Sequence, residues 1–186
     1  MDDQVKRRAT YQDLAAVPAH LVAELIDGHL HTFPRPAALH TRVASRMGAI
    51  FDGPFDRGVG GPGGWAILDG PEIHLHGDVL VPDLAGWRRA RMPKIPQTAA
   101  FELAPDWVCE VLSPATEAFD RANKLPVYAR ERVGHVWFVN PLACTLEVFG
   151  LDGQTYRLAG THRDEAIVTA PPFEALGLEL AGLWVT

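Results

Sequence analysis

The sequence predicts a mixed α/β (α+β) fold, with a curved mixed sheet flanked by helices and extended by extra β-hairpins. Three observations predict it. The patterned segments run helix, strands, helix, strands along 186 residues. Asp27-Gly28 and Asp152-Gly153 each separate two apolar segments, which is the signal of a tight hairpin. The run WVCEVL (107–112) is apolar almost throughout, as a central strand buried on both faces must be.

The elements follow in order. Thr10 can cap a short helix, YQDLAAV, with Asp13 at its third position. LVAELIDGHLHTF reads as two strands about Asp27-Gly28. ALHTRVASRMGAIF (38–51) places Leu39, Val43, Met47 and Ile50 at helical spacing. The glycine-rich GVGGPGGW (58–65) reads as a loop, since a phosphate-binding P-loop needs a Lys-Ser/Thr pair after its glycines. Three strands are expected at 65–68, 72–75 and 79–86, with Asp69-Gly70 and Gly77-Asp78 in the turns. RRARMPKIPQT is a polar, proline-marked loop. TEAFDRANKLPVYARERV (116–133) reads as a helix with Pro126 as a kink or break. HVWFVNP, CTLEVFGLDG and QTYRLAG are three further strands, and the segment after Pro171-Pro172 is apolar enough to pack against the body. No linker separates two cores, so residues 1–186 are expected to form a single domain.

Hydrophobic residues make up 47% of the chain, enough for a sizeable core. No apolar run approaches the roughly 18–20 residues that cross a bilayer, and MDDQVKRRAT lacks the apolar stretch of a secretory signal. A cytoplasmic location without membrane attachment is the expectation. Cys109 and Cys144 both fall in apolar, strand-like runs and read as reduced core thiols, because neither has a Cys or His partner at zinc-ligand spacing. The net charge of −6 counts against a simple electrostatic DNA binder. It does not exclude a nuclease, which gathers carboxylates at a metal site and can hold nucleic acid through local basic patches. Arg88, Arg89, Arg91 and Lys94, or Lys6, Arg7 and Arg8, are candidates for such patches.

Two strands carry an acid where burial should forbid one: Asp83 in VLVPDLAGW and Glu110 in WVCEVL. An unpaired buried carboxylate costs several kcal/mol, so such acids are paired, protonated or on a metal. Acids on neighbouring strands can point to one spot, and Mg²⁺ favours an oxygen-rich, partly hydrated site. Lys124, on the helix after Glu110, could reach the same spot and orient an attacking water or stabilise phosphate charge. Simpler readings exist for each. Asp83 could be a strand-end acid after a proline, and Lys124 could pair with Asp120 on an exposed helix face. Secondary candidates are Glu24 in LVAELI, Glu72 before IHL, which could face the same pocket, and His40, which could touch a phosphate. His29/His31 and His74/His76 form His-x-His pairs that could be read as zinc ligands, although strand histidines near a surface are more often solvated. Ser113 in EVLSP lacks the glycines of a nucleophile elbow.

Pro82-Asp83, Glu110-Val111-Leu112-Ser113-Pro114, Asp120-Arg121-Ala122-Asn123-Lys124-Leu125 and Tyr128-Ala129-Arg130 together resemble the Uma-type restriction-endonuclease-like family of the PD-(D/E)XK nuclease superfamily. Glu24-Leu25-Ile26-Asp27-Gly28 upstream and His135 to Pro141 downstream fit the same pattern, over roughly residues 10–160. The resemblance implies a restriction-endonuclease-like αβββαβ core. It also implies a divalent-metal site, Mg²⁺ or Mn²⁺, with Asp83, Glu110 and the Val111 carbonyl as ligands. The standard superfamily motif places its lysine two residues after the acid, where Leu112 stands here; the family takes a lysine from the following helix, and Lys124 matches it. Asn140 stands where an aspartate is usual. The implied function is metal-dependent hydrolysis of DNA phosphodiester bonds by a homodimer. The alternatives are a catalytically silent nuclease-fold module for binding or assembly, and a histidine-based zinc hydrolase.

Overall fold

The computed structural model describes residues 7–184. Helix α1 (Tyr11–Ala15) begins where the Thr10 side chain accepts from the Asp13 N–H, while the Asp13 carboxylate accepts from the Thr10 N–H at 2.7 Å. Strands β1 (Leu21–Ile26) and β2 (His29–Pro34) form the first hairpin. Its turn places both Asp27 (φ 52°) and Gly28 (φ 77°) in the left-handed region, the conformation for which Asp-Gly is selected. Helix α2 (Ala38–Phe51) buries Val43, Met47 and Phe51, then widens into a π-helical turn at Asp52–Asp56.

Strands β3 (Trp65–Asp69), β4 (Glu72–Leu75), β5 (Asp78–Leu80) and β6 (Leu84–Arg88) follow. The expected strand at 79–86 is therefore two strands. Val81-Pro82-Asp83 interrupts it, and Pro82 has no N–H to offer a ladder. After this break the chain leaves one sheet and enters the other. The first sheet has the order β2-β1-β5-β4-β7, with β7 at Ala100–Phe101. The second has the order β11-β10-β9-β8-β6-β3, with β8 at Trp107–Val111, β9 at His135–Asn140, β10 at Thr145–Asp152 and β11 at Thr155–Arg163. The pairings β8–β9 and β4–β7 are parallel and the other pairings in these sheets are antiparallel, so the expected mixed sheet is present as two.

Between β8 and β9 lies the expected helix, in three pieces: α3 (Glu117–Phe119), a π-helical turn (Asp120–Lys124) and α4 (Leu125–Arg130). The irregularity expected at Pro126 is realised one turn earlier, where the Leu125 N–H reaches back to the Asp120 carbonyl. Pro126, in the first turn of α4, has no N–H to donate.

Strand β8 is buried on both faces, as its composition predicts. Trp107, Cys109 and Val111 point into a core with α2, Trp137 and Phe173. Val108 shares the opposite core with Trp87, Tyr128 and Phe138, and alternation puts Glu110 on that same face. Burial pushes the Cys109 thiol well above its ordinary pKa, so it is the inert core thiol expected. Cys144 departs from expectation. It lies in the turn between β9 and β10 with φ 50°, half-buried, and strand structure resumes only at Thr145. The C-terminal segment contributes β12 (Ile167–Val168), β13 (Leu178–Glu179) and α5 (Ala181–Trp184), and it buries Phe173, Leu178, Leu180 and Leu183 in the first core. Among the described residues no helix is long and apolar enough to cross a membrane.

Candidate functional site

The break between β5 and β6 leaves Asp83 at the junction of the two sheets. Its Oδ2 accepts a 2.7 Å hydrogen bond from the Val111 N–H at the end of β8, and His40 Nε2 from α2 lies 3.2 Å from the same oxygen. Glu110, one residue before Val111, is thereby brought alongside. The Tyr128 hydroxyl donates to Glu110 Oε1 at 2.6 Å, and Lys124 Nζ lies 3.3 and 3.2 Å from its two oxygens. Lys124 Nζ also stands 3.0 Å from Glu24 Oε1 and 3.3 Å from Asp120 Oδ1. Glu24 is held from behind by the Val81 N–H at 2.8 Å. A cavity of about 330 Å³ opens over this group, with Glu24, His40, Asp83, Glu110, Asp120 and Lys124 in its lining.

Asp83, Glu110, Lys124, Glu24 and His40 thus share one cavity. Glu72 does not join them. It pairs with His74 Nε2 at 2.7 Å and accepts from the Tyr11 hydroxyl at 2.9 Å, because β4 turns it toward the N-terminal helix rather than toward Asp83. Asp120 and Tyr128 also belong to the cluster, although the sequence offers Asp120 only as a surface partner of Lys124 and gives Tyr128 no role of its own. Both carried a signal, since each stands four positions from Lys124 and so shares its helix face. The Lys124–Asp120 pair is made, but both side chains are buried instead of solvated.

The histidine pairs do not converge. His76 occupies a turn (φ 49°) and meets Glu131, His74 meets Glu72, and His31 packs on the Phe119 ring at 4.6 Å between centroids. Among the described residues, no three His, Cys, Asp or Glu side chains form a group that could hold a metal by themselves.

The family model described as "Uma2: Putative restriction endonuclease" matches residues 8–182. The chain belongs to the Uma2 family. No curated protein matches it in sequence. Among solved structures, an Anabaena variabilis protein described as "a putative nuclease belonging to DUF820" superposes with a TM-score of 0.75 over 94% of this chain and 97% of that one. The two are 19% identical, so the match shows a shared fold. Family and fold together make this a restriction-endonuclease-like protein.

In this Uma2 member the electrostatics of the cavity floor are dominated by burial. Desolvation raises the pKa of Glu110 well above the usual carboxylate range against the lowering pull of Lys124, and it raises Glu24 and Asp120 in the same way. For Lys124 burial works downward, but Glu110, Glu24 and Asp120 outweigh it and hold the ammonium well above the ordinary lysine value. Burial, with help from Glu110, keeps the Tyr128 hydroxyl protonated and therefore a donor. The outer arginines are largely committed elsewhere. Arg88 lies over the Trp65 ring at 4.5 Å, Arg89 pairs with Asp56, Arg91 with Asp106 and Arg7 with Asp13. Lys6 lies outside the described residues.

Proposed function

We propose that this Uma2 member is a Mg²⁺- or Mn²⁺-dependent nuclease that hydrolyses DNA phosphodiester bonds, with Asp83, Glu110 and the Val111 carbonyl as metal ligands and Lys124 beside them. The observation that supports it is the charge imbalance of the cavity. Four carboxylates, from Glu24, Asp83, Glu110 and Asp120, meet one lysine and one histidine, and Arg35 is the one further cationic side chain in the lining. Such an excess of buried acid is costly unless protons or a cation offset it. A hard divalent ion suits the donor set, because Mg²⁺ takes one or two protein carboxylates and fills its remaining positions with carbonyl, water and substrate oxygens. Two carboxylates and a carbonyl are oxygen donors, which suit Mg²⁺ or Mn²⁺ better than zinc, whose structural sites are built from Cys and His.

Bound there, the ion would polarise a phosphoryl oxygen and lower the pKa of water. The chain's own groups do the rest. Lys124 is held charged by its acids, so it cannot accept a proton; it orients the attacking water and offsets charge developing on the phosphate. Tyr128 fixes Glu110 from below, and the Val111 N–H fixes Asp83. A homodimer of such an enzyme would carry two of these cavities.

Purified protein with Mg²⁺ or Mn²⁺ should nick plasmid DNA, and Asp83→Ala or Glu110→Ala should abolish nicking. Equal cleavage by the variants removes the assignment. The alternative, a silent nuclease-fold module, is favoured by one observation: Lys124 already has three acidic partners and gains nothing by facing a substrate. Calorimetry separates the two, since a silent module should bind no Mg²⁺ or Mn²⁺ at millimolar concentration.

A further inference from the structure

The cavity has a charged floor and an apolar mouth. Glu24, Glu110, Asp120 and Lys124 are all buried, and Asp83 is only 20% exposed, so the reactive groups lie recessed rather than on a surface. The rim is formed by Phe33, Pro34 and Pro36 on one side and by Pro114 and Ala115 on the other. Pro34, Pro36, Pro114 and Ala115 are exposed, and the Phe33 ring is braced from behind by Phe119 at 4.8 Å. Proline and alanine lose little side-chain entropy on contact, and a braced aromatic ring is a preformed stacking platform.

The opening suits one nucleotide better than a double helix. Its volume, about 330 Å³, is at the lower end of sites that hold one small molecule. A duplex carries one charge per roughly 1.7 Å of axis and is held by a track of cations. Here the lining offers Arg35 and Lys124 alone as lysine or arginine. Arg35 is partly spent on the Ala19 carbonyl, at 2.7 and 3.2 Å, and Lys124 on its acids. One unpaired nucleotide is small enough for the opening and presents an apolar base face to the rim, while its phosphate would meet the acidic floor only with a cation bound there. We infer that the cavity takes a single unpaired nucleotide of a single-stranded nucleic acid, its base stacked on Phe33 within the proline rim. This deepens the nuclease reading and rests on it for the choice of nucleic acid.

The probe is a single-stranded deoxyoligonucleotide carrying one 2-aminopurine, used alone and annealed to its complement. Binding is followed by 2-aminopurine emission and anisotropy with Ca²⁺ present, and cleavage of the same strands on a gel with Mn²⁺. Single strand should bind about tenfold tighter than duplex, with emission quenched. Phe33→Ala should cost about tenfold, the scale of one lost base–aromatic stack, and Phe33→Trp should restore binding, which separates stacking from a folding defect. Equal or tighter binding of duplex overturns the inference, as does indifference to Phe33→Ala. Cleavage of duplex without preference for single strand also overturns it but leaves the nuclease reading standing. Phe33-dependent capture of single strand without cleavage of either form supports the inference and removes the nuclease reading. Binding of neither form overturns the inference.

Discussion

Lys124 is the one lysine or arginine among the buried charged side chains described, and three buried acids lean on it. Removing one partner of a buried ionic group costs roughly 3–5 kcal/mol, because the charges left behind have no water to turn to. Lys124→Met, which keeps the chain's length and apolar stem, should therefore lower unfolding free energy by about 3–5 kcal/mol in urea titrations without metal. Millimolar Mg²⁺ should recover part of that loss if an ion takes over the charge, by ordinary linkage. A variant as stable as the parent would show that these groups do not act as a unit. At this scale the sequence was informative in an uneven way. Asp83 and Glu110 stood out because an acid in an apolar strand needs a reason. Lys124 could be placed near the same spot, but its burial could not be read, since an Asp and a Lys four apart look the same on a wet helix face as on a dry one. Its burial is decided by Tyr128, Glu24 and Glu110, which come from three different elements. Glu72 was misplaced for the matching reason, as its neighbours Tyr11 and His74 capture it locally.

Elements whose cause is local were legible, and those whose cause is tertiary were not. The Asp27-Gly28 hairpin follows from two residues that tolerate positive φ, and the capping box at Thr10 follows from two side chains three apart. The π-helical turn at Asp120–Lys124 and the break at Val81-Pro82-Asp83 have no such local signature beyond a proline nearby; they are settled by which sheet the flanking strands join. The local character of α1 is testable. None of its residues is buried, so its stability rests on the cap rather than on packing. Thr10→Ala should destabilise the helix by about 0.5–2 kcal/mol. The loss should appear as faster hydrogen exchange of the amides in residues 11–16 with the global melting temperature unchanged, since nothing buried is lost. A fall in the global melting temperature would mean that α1 is coupled to the core after all.

At the scale of the whole molecule, the C-terminal segment is a structural member of the six-stranded sheet's core. The Phe173 ring stands 4.6 Å from Phe51 and Phe55, 4.9 Å from Trp65 and Trp107, and 5.8 Å from Trp137. Phe173→Ala should cost roughly 3–5 kcal/mol through lost transfer energy and the cavity left behind, and a denaturant midpoint close to wild type would show that this ring is not the anchor of the segment. Stability should also depend on pH through two opposed groups of residues. Burial lowers the pKa of His135, assisted by Arg88 and resisted by Glu174 and Asp106, and its Nδ1 has no partner. Unfolded, His135 takes a proton near its ordinary value of about 6.5, so between that value and the lower folded one the unfolded state holds more protons. Its contribution is therefore complete above about pH 6.5 and is lost as pH falls through the folded pKa. Glu24, Glu110 and Asp120 act in the other direction: their raised folded pKa values make the folded state hold more protons, and stability declines as pH rises through them. The measured profile sums both, so a single curve cannot assign either. The difference between wild type and His135→Gln can, because the acids cancel in it. Wild type should lose stability relative to the variant as pH falls from 7 to 5 in paired urea titrations. A difference that stays constant with pH would mean that His135 titrates alike in the folded and unfolded chain, and that its burial carries no cost for the proton.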